Sequence, residues 1–136
     1  MSSNDAIQGI HHITLVCADA QRTVNFYTQV LGLRFVKRTV NFDDPGSYHL
    51  YFGDEVGHPG SAVTFFEWPN APKGHFGIGG THHFALIVND YDGLLQWKRR
   101  LVDLGRLASA ATHSGLIGKI VELGRARLVS CEVVAR

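Results

Sequence analysis

HHITLVCAD at residues 11–19 returns as HHFALIVND at residues 82–90, and in both copies an aspartate stands seven residues after the second histidine. Each copy is rich in β-branched and apolar residues, which read as a strand, and each ends on an Asp suited to cap a helix. Continued without a gap, the alignment sets Phe26 opposite Trp97 and Leu31 opposite Val102, so the helix that follows is expected to keep its apolar side in both copies. The chain reads as an internal duplication.

Outward from the first copy, Val24, Phe26, Tyr27, Val30 and Leu31 recur at helical spacing until Gly32 stops the helix. LRFVKRTVNF then alternates polar with apolar, Asp43-Asp44-Pro45-Gly46 makes a turn, and SYHLYFG and SAVTFFEW add two more strands. This is one βαβββ module over about residues 9–68. A Gly/Pro-rich linker, PNAPKGHFGIGG, covers about 69–80. The second module, about 81–136, repeats strand and helix. RLASAATHSG is a poor strand by propensity, but KIVEL, a turn at Gly124-Arg125-Ala126 and RLVSCEVVA read as a closing hairpin. The expectation is a single α+β domain over 1–136 made of two βαβββ modules.

The bulk numbers narrow the partners. With 136 residues, 13 Lys plus Arg and 12 Asp plus Glu, the chain has the size of one domain and no basic footprint for nucleic acid. Its apolar runs are strand-sized, too short to span a bilayer, and MSSNDAIQG lacks the features of a secretion signal. Two cysteines, Cys17 and Cys131, make no disulfide framework and read as small core residues. A cytoplasmic protein acting on a small molecule is expected, with neither nucleic acid nor membrane as partner.

Adjacent histidines on a strand face opposite sides. His11 shares its side with Ile13, Leu15 and Cys17, and His82 with Phe84, Leu86 and Val88, which suits the core. His12 and His83 stand beside smaller neighbours, Thr14 and Ala85, with room for a ligand. Two imidazoles at equivalent places of a duplication suit one Fe, Zn, Ni or Cu ion.

The repeat, together with FYTQVLGL in the first helix, resembles the vicinal oxygen chelate superfamily of glyoxalase I, extradiol dioxygenases, fosfomycin-resistance transferases and bleomycin-binding proteins. The stretch from GIHHITLVCAD through FDDPGSYHLYFGDE to EWPNAP, with GGTHHFALIVNDYDGLLQWKRRLVDLG, is similar to its hydroquinone ring-cleaving branch over Gly9 to about Gly105. The resemblance implies curved mixed sheets forming a cup. In it a metal is held by a His from the first strand of each module and a Glu from a last strand. The histidines fall on His12 and His83. Aligning CEVVAR with the family's final strand puts the carboxylate at Glu132, with Glu122 and Glu67 as alternatives; the turn at Gly124-Arg125-Ala126 departs from the family's usual Asp-Pro-Asp-Gly.

Two imidazoles and one carboxylate are the ligand set of non-haem Fe(II) oxygenases. The resemblance therefore implies a ring-cleaving dioxygenase for a small dihydroxy aromatic, using Fe(II), with Mn(II), Zn(II) or Ni(II) as alternatives. His49 and Tyr48 are the expected acid/base residues, Tyr51 and His113 being the others of suitable type, and Phe65, Phe66 and Trp68 are candidates to line the cup. A glyoxalase-like lyase or isomerase, which would need Glu67 as a second carboxylate, and a non-enzymatic binding protein are the alternatives. The branch commonly carries four modules, and two-module members of the superfamily commonly pair, so a homodimer is expected.

Overall fold

The computed structural model describes the backbone of residues 6–72, 78, 83–105, 116–120 and 130–135, and side chains for 6–72, 78 and 84–105. The chain divides into two compact units, Met1–Ala71 and Pro72–Arg136.

The first unit opens with β1 (His12–Cys17). Asp19 has extended backbone and its carboxylate accepts the N–H of Arg22 at 2.9 Å, which starts α1 (Ala20–Asn25) as its capping role requires. The helix then widens into one π-helical turn, Phe26–Val30, where the N–H of Leu31 reaches the carbonyl of Phe26. Gly32, at φ +65°, turns the chain out of the helix. Then follow β2 (Arg34–Val40), β3 (Tyr48–Gly53) and β4 (Ala62–Glu67). The sheet order is β1-β4-β3-β2, with β1 parallel to β4 and the other pairs antiparallel.

This sheet has two unlike faces. On one, Leu50, Phe52, Val63, Phe65 and Cys17 are buried together with Phe26, Tyr27, Val30 and Leu31 of the helix. The Tyr27 ring lies 5.2 Å from Phe52 and 4.8 Å from Phe65. Burying each such side chain contributes about 1.5–3 kcal/mol, so this aromatic layer is the main support of the unit. The other face carries His12, Thr14, His49, Tyr51, Thr64 and Phe66, set there by strand alternation and by the pairings Thr14↔Thr64, Tyr51↔Thr64 and His49↔Phe66. A bulge between Phe35 and Lys37 adds Lys37 to it. Phe35 pairs with Phe52 on the helix face, and the extra residue Val36 lets Lys37 pair with Tyr51 on the opposite one.

The second unit repeats the plan with β5 (His83–Val88), α2 (Tyr91–Asp103), β6 (Leu116–Ile120) and β7 (Ser130–Ala135). Asp90 caps α2 through the N–H of Gly93, as Asp19 caps α1. The order is β5-β7-β6, with the first strand again parallel to the last, and β6 and β7 antiparallel as a closing hairpin demands. The strand expected from RLASAATHSG, the turn at Gly124-Arg125-Ala126, Glu122 and His113 lie outside the described residues.

One detail of the duplication is corrected. Helix α2 buries Leu94 and Leu101, while Val102, aligned with Leu31, is 53 % exposed. The π-helical turn places one additional residue in the first helix, so beyond it the equivalence slips by one and Leu31 corresponds to Leu101.

Candidate active site

His12 stands at the start of β1 on the sheet face away from α1, as parity predicts. Its Nδ1 lies 3.0 Å from Nδ1 of His11, one donating and the other accepting, so Nε2 is the His12 nitrogen open to a metal. Among the residues with described side chains, no three of His, Cys, Asp and Glu cluster as a metal site. Of the expected ligands only His12 belongs to that set. His83 and Glu132 are placed by backbone: β5 and β7 pair His83↔Ser130 and Ala85↔Glu132. In a parallel pair, register partners share a face, so Glu132 occupies the same sheet face as His83, two residues further along.

The first unit has the same step. There β1 and β4 pair His12↔Ala62 and Thr14↔Thr64, so the position equivalent to Glu132 is Thr64. Glu67, the alternative carboxylate, pairs with Cys17 on the helix face, and its Oε1 accepts the N–H of Ala20 at 2.8 Å. Its charge stabilises the start of α1. Glu67 is thus directed away from the face of His12, and on that face the position equivalent to Glu132 carries a threonine.

Thr64 is fully buried and anchors a chain of side chains across the open face. Its hydroxyl donates to Thr14 Oγ1 at 2.9 Å. With that proton engaged, Thr64 Oγ1 accepts from His49 Nε2–H at 3.0 Å, and Tyr51 Oη–H, 3.1 Å from His49 Nδ1, donates to the remaining ring nitrogen. Lys37 Nζ sits 4.4 Å above the Tyr51 ring. Burial first, then the nearby His12 and Lys37, lower the pKa of His49 and favour its neutral form.

The apolar part of this face comes from β4. Phe66 lies 4.2 Å from the His49 ring and stacks on Trp68 at 6.1 Å with planes 14° apart. Phe65 belongs instead to the core against Tyr27. Tyr48 also departs from expectation. It pairs with Val40 on the helix face, 44 % exposed, with the Arg38 guanidinium 4.7 Å from its ring centre. The tyrosine that joins His49 is Tyr51, two residues on, and the parity that separates His11 from His12 also pairs His49 with Tyr51. Thr14, Thr64 and Lys37 are further members that the sequence reading did not single out.

A βαβββ unit followed by a second unit whose first strand, also begun by a histidine, again runs parallel to its last defines a class of duplicated βαβββ proteins. The chain matches the Glyoxalase/Bleomycin resistance protein/Dioxygenase superfamily over residues 9–119 and belongs to it. It is 50% identical over 93 residues to a Bacillus subtilis protein named as the ring-cleaving dioxygenase MhqO, covering 68% of this chain and 30% of that one. To the chlorohydroquinone/hydroquinone 1,2-dioxygenase of Sphingobium indicum it is 36% identical over 99 residues, 71% of this chain and 30% of that one. A Bacillus subtilis crystal structure described as a dioxygenase superposes with a TM-score of 0.81 at 38% identity, over 94% of this chain and 40% of that chain. The chain thus spans about a third of the length of the curated dioxygenase relatives named here.

Proposed function

We propose that the chain forms the site of a metal-dependent ring-cleaving dioxygenase acting on a small dihydroxy aromatic such as a hydroquinone or catechol. His12, His83 and Glu132 are the ligands in this reading, with Fe(II) as the metal and Mn(II), Zn(II) or Ni(II) as the alternatives to be tested. The observation that carries it is the equivalence of Thr64 and Glu132. One module supplies a carboxylate on the histidine's face and the other supplies a hydroxyl, which favours two imidazoles and one carboxylate over a set with two carboxylates. The dihydroxy-aromatic substrates named for relatives such as the hydroquinone dioxygenase support the same reading.

When bound, the metal supplies a Lewis acid that lowers a phenol's pKa and a centre at which dioxygen is activated. The protein's residues do the rest. Phe66 and Trp68 offer a stacked aromatic wall to a flat ring and keep water from it. His49, held neutral, is the group of this face that can take up a proton, and Lys37 favours negative charge on a phenolic oxygen near Tyr51. A homodimer and a cytoplasmic setting, where Fe(II) and thiols remain reduced, belong to this reading; among the described residues no helix is long and apolar enough to cross a membrane. Dioxygen uptake by the Fe(II)-loaded protein with hydroquinone, chlorohydroquinone and catechol tests the activity. Uptake stoichiometric with ring opening is expected, and no uptake with any of them contradicts the reading.

A further inference from the structure

Both ring nitrogens of His49 are occupied. Nε2 is tied to Thr64, which is fully buried and in turn tied to Thr14, and Nδ1 is tied to Tyr51. An imidazole with neither nitrogen open does not meet a substrate hydroxyl directly. Beyond His49 the ladder ends on the half-buried Tyr51 phenol, with the Lys37 ammonium over its ring. We propose that Tyr51 Oη is the atom that exchanges a proton with a phenolic substrate, and that His49, Thr64 and Thr14 act behind it as positioning residues. The inference rests on the ring-cleaving reading for the substrate's chemistry, but the order of the ladder is a property of the first module alone.

The proton balance is simple. As the substrate O–H breaks, its proton joins Tyr51 Oη, and the proton already on Oη moves to His49 Nδ1, giving a substrate phenolate and an imidazolium with no change of oxidation state. Thr64 fixes the direction. Because its own hydroxyl proton goes to Thr14, it can only accept from Nε2–H, which leaves Nδ1 bare and facing Tyr51. Thr14, on the same face as His12, carries the far end of the ladder to the strand that bears the proposed ligand. The charged and titratable groups sharing this sheet face are Arg34 and Lys37 from β2, Tyr51 from β3 and His12 from β1, while β4 contributes Ala62, Thr64 and Phe66; the Arg34 guanidinium is turned to the Glu55 carbonyl. Lys37 and His12 both oppose the imidazolium, so the proton taken up by His49 is readily returned once the phenolate is consumed.

Two measurements on the full chain test this. Long-range ¹H–¹⁵N correlation spectra of the Zn(II)-loaded protein are expected to show His49 as the neutral Nε2–H tautomer at pH 7.5. Thr64→Val mixes the tautomers, and Thr64→Ser restores the wild-type spectrum. An Nδ1–H tautomer in the wild type, or a spectrum indifferent to Thr64→Val, overturns the ladder. In turnover of hydroquinone by the Fe(II)-loaded protein, Tyr51→Phe and His49→Gln are each expected to lower kcat about 100-fold with KM within about twofold, and the double variant to be no worse than either. Wild-type kcat in Tyr51→Phe overturns the assignment of Oη. A wild type inert toward every diphenol removes the ring-cleaving reading and the proton exchange together, while the tautomer spectra still decide whether His49 is held as described.

Discussion

In their described strands the two modules share a first strand parallel to the last, a capping aspartate and a histidine at the start of the first strand, and they differ at the position that faces this histidine's strand two residues on. Two residues along from that histidine's partner, the first module has Thr64 and the second has Glu132. Under the proposed function, the difference gives the two copies separate tasks. A carboxylate beside an imidazole makes a pair of metal ligands. A threonine in its place cannot hold a cation by charge, and instead orients a neighbouring imidazole and through it a tyrosine. The first module thereby becomes the proton-handling side, and the second the anionic side, of the proposed chemistry.

Four substitutions or titrations probe the contrast, from the largest effect on stability to the smallest. Phe52→Ala removes the middle of the aromatic layer that carries the first sheet, and is expected to cost about 3–5 kcal/mol in urea unfolding. A cost below about 1 kcal/mol would show that the layer does not hold the ladder's sheet in place. Thr64→Val leaves a half-buried Nε2–H without its acceptor, for an expected loss of about 1–1.5 kcal/mol with metal stoichiometry unchanged. If that variant lost metal, Thr64 and Glu132 would not have separate roles. Glu67→Gln should cost about 0.5–1 kcal/mol, the worth of a carboxylate at a helix start, and should also keep its metal. Loss of metal there would restore the two-carboxylate site.

The smallest effect is in pH dependence. The folded pKa of His49 lies below its ordinary value of about 6.5, so between the two values the unfolded chain holds more protons than the folded one. The stability contributed by the neutral imidazole is therefore present above about pH 6.5 and is lost as pH falls through the folded value. His49→Gln is expected to flatten this part of a chemical-denaturation profile, and an unchanged slope would mean that the ring titrates freely.

Much of this was legible in the sequence because it depends on local rules. The Asp caps, the stop at Gly32, the Asp43–Gly46 turn and the separation of His12 from His11 all follow from backbone sterics and strand alternation. The same alternation within YHLYF pairs His49 with Tyr51 and sets Tyr48 on the other face, so that member could have been read directly. Two features could not. The bulge at Val36, which brings Lys37 beside Tyr51, and the π-helical turn, which shifts Leu31 against Leu101, each add one residue to a regular element. A periodicity argument counts residues evenly and passes over an inserted one. Glu67, an alternative to Glu132 on sequence grounds because it ends a strand, has Cys17 as its register partner on the helix face, where it accepts the N–H of Ala20.

The central claim is that one carboxylate, from the second module, joins one histidine from each module around a single metal. Anaerobic Fe(II) titration with elemental analysis of the washed protein tests it most directly. The account predicts one Fe(II) per chain in the wild type, Thr64→Val and Glu67→Gln, and none retained in His12→Ala, His83→Ala or Glu132→Ala. One equivalent bound at wild-type affinity by Glu132→Ala would contradict it.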